Sequence, residues 1–123
     1  MSDLQSSQQL LKVIRLSELI DDFQLQRAFR DFESTGIQSA SGLARFLIDL
    51  GLLTDWQAGK LLENKFKGFF RGPYVFLDCR ESTQEIARYL VRHGATGRLL
   101  MMKVYPSAPK YLARDWPYEI EEL

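Results

Sequence analysis

A chain of 123 residues with 46% hydrophobic side chains carries enough apolar material for one compact domain, or for a helical domain with a small sheet attached. Its 16 basic and 16 acidic residues cancel, which removes the global field that would favour nucleic acid or an anionic membrane. One cysteine, Cys79, and one histidine, His93, exclude an intramolecular disulfide framework and speak against a His/Cys metal site.

The first residues, Met1 to Gln5, have neither the basic n-region nor the apolar h-region of a signal peptide. No apolar run approaches membrane-spanning length, so a cytoplasmic chain is expected, with no membrane partner. From Leu10 to Phe32 apolar residues recur three or four apart, at Leu16, Leu19, Ile20, Phe23, Leu25, Ala28 and Phe29, which predicts an amphipathic helix. Ser17 is a candidate N-cap within this run, and Gly36 is placed to stop the helix. Ser39 or Ser41 then caps a second helix with Leu43, Phe46, Leu47 and Leu50 on one face, ending at Gly51. Thr54 caps a third, with Asp55 at the positive end of its dipole and Trp56, Leu61 and Leu62 as core contacts. Three short-looped helices pack as a bundle. A weak echo links Leu16–Leu25 with Leu47–Ala58, since both place an acidic, capping-prone turn before a glutamine-containing helix. Recurrent capping chemistry is the simpler account of it.

After Lys67 the texture changes to aromatics, β-branched residues and turn signals, which places a boundary near Gly68. Strands are predicted over Tyr74–Leu77, Ile86–Val91 and Leu99–Tyr105, the last two joined by the turn-prone His93-Gly94-Ala95-Thr96-Gly97. Pro106 to Lys110 reads as a loop, and Pro117 fits the first turn of a short helix running to Leu123. The expected fold is therefore α+β: a bundle of about three helices over 1–67, then over 68–123 a small antiparallel meander with a short C-terminal helix.

Gly51-Leu52-Leu53-Thr54-Asp55-Trp56-Gln57-Ala58, followed by Lys67-Gly68-Phe69-Phe70-Arg71-Gly72-Pro73-Tyr74, resembles the segment that precedes the kinase domain in many planctomycete serine/threonine protein kinases. The resemblance implies that Tyr74–Leu77, Ala87–His93 and Leu99–Pro106 correspond to the first three strands of a kinase small lobe. Lys103 then matches the third-strand lysine, and Glu119, sixteen positions on, matches its glutamate partner on the following helix. In active kinases that pair positions nucleotide phosphates. The stretch Arg80–Ala87, however, has no glycine where a phosphate-covering loop needs them, and Glu81 and Glu85 bring negative charge. Neither the catalytic-loop nor the metal-binding motif of a kinase occurs in these residues, so no catalytic residue, metal or other cofactor is assigned.

Lys103 also fits a plainer role, a strand lysine with a packed stem and a solvated head. Lys60, Lys65, Lys67 and Arg71, with Phe66, Phe69 and Phe70 among them, read as a solvated helix end and an aromatic linker rather than a nucleic-acid surface. His93 has no nucleophile near it in sequence, and Cys79, between Asp78 and Arg80, is at most a reactive thiol. The resemblance thus leads to a non-catalytic, kinase-related interaction or regulatory module. Phe69, Phe70, Leu99 and Met101 are its candidate surface for a protein partner or a homodimer, and ATP is not expected to bind. One alternative is the N-terminal fragment of a kinase that binds ATP through Lys103. Another is a helical signalling module, similar to the N-terminal domains of secretion ATPases, in which a cyclic dinucleotide is the simplest ligand.

Overall fold

The computed structural model describes residues 3–106 and 116–123. The chain divides into two compact units, Met1–Lys67 and Gly68–Leu123, the first helical and the second a β-sheet. The fold class is α+β.

The helical unit holds four helices: α1 (Ser7–Ser17), α2 (Asp22–Glu33), α3 (Ala40–Asp49) and α4 (Asp55–Leu62). Each begins at a residue whose side-chain oxygen accepts a backbone N–H left unpaired by the first turn: Ser6, Asp21, Ser39 and Thr54. At α1 and α4 the cap is reciprocal. Thr54 Oγ1 accepts from Gln57 N at 3.1 Å while Gln57 Oε1 accepts from Thr54 N at 3.0 Å, and Ser6 and Gln9 repeat the arrangement. Leu10, Ile14, Leu25, Leu43, Leu47 and Leu61 are fully enclosed. Each such side chain contributes about 1.5–3 kcal/mol over its exposed state.

Where one helix was expected from Leu10 to Phe32, there are two. Glu18 takes a left-handed conformation with φ 60°, which ends α1, and Asp21 starts α2. Ser17 is not an N-cap but the last residue of α1, its hydroxyl donating to Ile14 O at 2.6 Å and accepting from Leu19 N at 3.2 Å. The apolar spacing runs through the break because Ile20, in the connection, is itself buried. The connection from α3 to α4 turns at Gly51, φ 78°, whose N–H donates to Ile48 O while Leu52 N donates to Leu47 O. Leu50, expected on the core face, is the C-cap of α3 and 53% exposed.

The second unit is one antiparallel sheet in sequence order: β1 (Phe70–Arg71), β2 (Tyr74–Ser82), β3 (Ala87–His93), β4 (Leu99–Val104) and β5 (Tyr118–Glu121). It has five strands rather than the three expected, and β5 stands where the short C-terminal helix was expected. Six residues are too few to sustain a helix without tertiary support, whereas Tyr118, Glu119, Ile120 and Glu121 alternate as a strand requires and pair along β4. The loop expected over Pro106–Lys110 lies, beyond Pro106, outside the described residues.

Register shifts after Phe76 and after Cys79 mark bulges in β2, which add local twist. The sheet curls far enough for its ends to touch. Arg71, on the first strand, donates from Nη2 to Trp116 O at 2.6 Å and sets its guanidinium 4.8 Å from the ring centroid of Tyr118. The inner face packs Val91, Leu100, Met102 and Val104 with Tyr74, Phe76, Tyr89, Trp116 and Ile120 around them.

Candidate functional site

Strand pairing fixes which side chains share a face, because cross-strand partners point the same way. With Val91, Leu100 and Met102 turned inward, the outer face carries two rows that contain residues singled out in the sequence. One runs Phe70–Val75–Arg92–Leu99 across β1 to β4, in which Val75 is buried, with 8% exposed, and the two end residues are open. The next runs Asp78–Leu90–Met101–Glu121 across β2 to β5. Three of the four candidate surface residues, Phe70, Leu99 and Met101, thus stand on one face. Phe70 and Leu99 are both 46% exposed and lie three strand spacings apart, roughly 14 Å. Met101 is half-buried. Phe69 does not belong with them: only 2% of it is exposed, as expected for a neighbour that points the opposite way from Phe70 along an extended chain.

A third row, Glu81–Arg88–Lys103–Glu119, places the two candidate nucleotide-contacting residues side by side. Glu119 reaches Lys103 from a strand and not from a helix. Lys103 Nζ lies 5.2 Å from the ring centroid of Tyr105, and among the described residues no carboxylate lies within 4.0 Å of it. The carboxylates nearest this row are held instead by Arg88, which hydrogen-bonds Glu81 and lies 3.5 Å from Glu121. The hydrogen bond to Glu81 raises the pKa of the Arg88 guanidinium further, with Glu121 adding to the effect.

The β2–β3 hairpin occupies the place that the kinase resemblance gives to the phosphate-covering loop. Its turn is closed by Thr83 N donating to Ile86 O at 2.8 Å, and Thr83 Oγ1 accepts from Glu85 N and Ile86 N at 3.2 and 3.0 Å. The amides of Thr83, Glu85 and Ile86 are therefore engaged within the turn.

The remaining candidates have structural partners. Lys60 lies over Trp56, Lys65 pairs with Glu63 at 3.0 Å, and Lys67 lies over Phe66. The Lys65 hydrogen bond lowers the pKa of the Glu63 carboxyl. His93 sits edge-on to Tyr74 and accepts from Thr96 N at 3.3 Å, so it helps to close the β3–β4 turn. Cys79 donates weakly from Sγ to Glu81 O at 3.6 Å and pairs across the ladder with Tyr89. Burial pushes the Tyr89 phenol above its usual pKa of 10.0, with a smaller contribution from Cys79.

Sequence reading missed Arg88, Leu90 and Arg92 as constituents of the outer face. Their alternation with Tyr89 and Val91 was the available signal, since it marks a strand with one polar and one apolar side. Among the described residues no group of three His, Cys, Asp or Glu side chains is disposed to hold a metal ion, and no helix is long and apolar enough to cross a membrane. No family model matches the sequence, and no curated protein or solved structure matches the chain.

Proposed function

We propose that this chain is a non-catalytic interaction or regulatory module, related to a kinase small lobe, whose outer sheet face docks a polypeptide, in the first instance a second copy of itself. The observation that carries the reading is the common row of Phe70 and Leu99, with Met101 and Leu90 in the row beside it. Exposed large apolar side chains that fall on one face form a surface a partner can desolvate, whereas scattered ones do not. Arg92 lies between Val75 and Leu99 in that row, and arginine beside apolar anchors is common at protein interfaces. Zero formal net charge favours a neutral polypeptide partner over a strongly charged one.

Two features weigh against a nucleotide role. The Thr83 turn engages its own amides, and Lys103 rests on Tyr105 beside a strand-borne glutamate. Sedimentation velocity across a concentration series tests the docking reading. The wild-type chain is expected to gain sedimentation coefficient with concentration, and Leu99→Glu to stay monomeric. A wild-type monomer throughout, or equal association in Leu99→Glu, contradicts the proposal.

A further inference from the structure

We infer that the helical unit is an internally duplicated αα-hairpin, residues 4–29 and 37–62, with the two copies related by a pseudo-two-fold axis. The decisive observation is a pair of hydrogen bonds. Ser7 N donates to Gln38 O at 2.8 Å, and Ala40 N donates to Gln5 O at 2.9 Å. Gln5 and Gln38 are 33 positions apart, and so are Ser7 and Ala40. A rotation that exchanges the two halves therefore exchanges these two bonds. Between them lies the antiparallel bridge Ser6↔Ser39, which joins the N-caps of α1 and α3, again 33 apart.

The same offset aligns the rest of both hairpins. Left-handed Glu18, φ 60°, which ends α1, corresponds to Gly51, φ 78°, which follows the C-cap of α3. Buried Ile20 corresponds to buried Leu53, and N-cap Asp21 to N-cap Thr54. Inside the helices Leu10 matches Leu43, Leu11 matches Ala44, Ile14 matches Leu47 and Leu25 matches Ala58, with every member buried. The packing between the copies is mirrored, since α1 contacts α4 as α3 contacts α2 and α1 and α3 meet at the centre, whereas within the copies α3 packs on α4 more extensively than α1 on α2.

Shared burial alone is what any two helical hairpins would show, so positions outside the core are more telling. Phe23 is 69% exposed with the Arg27 guanidinium 5.8 Å from its ring centroid, and at the equivalent positions Lys60 lies 5.9 Å from the ring centroid of Trp56. Asp22 and Asp55, equivalent residues that open α2 and α4, each pair with an arginine of the preceding helix, although Arg15 and Arg45 are not at equivalent positions. Phe23 and Arg27 are exposed whereas Trp56 and Lys60 are half-buried, so the recurrence of the aromatic–cation pair at the same offset in different settings favours common descent of the halves. The correspondence ends after Phe29 and Leu62, where α2 continues to bury Phe32 and α4 stops.

The reciprocal exchange of one unequal pair tests the axis in the full chain. Leu11→Ala leaves a cavity and Ala44→Leu overfills its site, so each lowers the urea midpoint. With α1 and α3 related by the axis, the double variant L11A/A44L moves the large side chain to the equivalent place and recovers at least half of the summed loss. A double variant that loses the full sum overturns the inference. Should these variants unfold the unit, Leu10→Val and Leu43→Val make the same comparison more gently, since both leucines are 0% exposed. Midpoint shifts that agree within about 1.5-fold support the duplication, and shifts that differ by more than that contradict it.

Discussion

Lys103 and Glu119 stand directly opposite each other on β4 and β5, yet the ammonium rests over the Tyr105 ring and no ion pair joins them. Opposite charges at facing positions on a solvated sheet face gain little, because water screens both. Arg88, one strand away, holds the carboxylates of Glu81 and Glu121 instead.

A double-mutant cycle over Lys103→Ala and Glu119→Ala is therefore expected to give a coupling of no more than about 0.5 kcal/mol by urea denaturation. A coupling of several kcal/mol would mean that the two form a tight pair in solution.

Removing the cap of α4 is predicted to cost more. Thr54→Ala leaves Gln57 N without its side-chain acceptor and is expected to destabilise the helical unit by about 1 kcal/mol. Thermal unfolding followed by far-UV circular dichroism measures this, and Thr54→Ser should restore most of the loss.

Within the sheet the two faces should respond differently to truncation. Met102 is 0% exposed at the centre of the inner cluster, so Met102→Ala is expected to cost about 2–5 kcal/mol. Leu99→Ala, on the outer face, is expected to stay within about 0.5 kcal/mol in the monomer. Chemical denaturation of both variants at a concentration too low for association makes the comparison.

The raised pKa of Tyr89 gives stability a dependence on alkaline pH. Its folded-state pKa lies above the unfolded value, so the folded protein keeps the phenolic proton where the unfolded chain releases it. The contribution is complete below the unfolded pKa, near 10.0, and is lost as pH rises through the folded one. The urea midpoint of the wild type should therefore fall from about pH 9 to 11 more steeply than that of Tyr89→Phe.

The sequence carried the starts of α3 and α4 openly, because Ser39 and Thr54 are capping residues placed just before apolar periodicity. It concealed the break between α1 and α2. Buried Ile20 keeps the helical spacing across a non-helical connection, and the residue that ends α1 is Glu18 rather than a glycine. The echo between Leu16–Leu25 and Leu47–Ala58 held the clue, since aligning Asp21 with Thr54 marks a helix start at both. Strands β2, β3 and β4 follow from β-branched, aromatic and alternating residues, whereas β1 has two residues and no pattern to read. In sequence β5 resembles a helix start, because Pro117 and the glutamates after it suit a helical first turn, while its pairing with β4 is a tertiary fact. The outer face was partly legible for the same reason: Phe70, Leu99 and Met101 are conspicuous as residues, but their common side depends on register.

Amide chemical-shift mapping of the full chain over a concentration series tests the docking face most directly. Shifts or broadening concentrated at Phe70, Val75, Arg92, Leu99 and Met101, and abolished in Leu99→Glu, are the predicted result. An unchanged outer face at high protein concentration, together with shifts around Thr83 and Lys103 on adding magnesium-ATP, would contradict it.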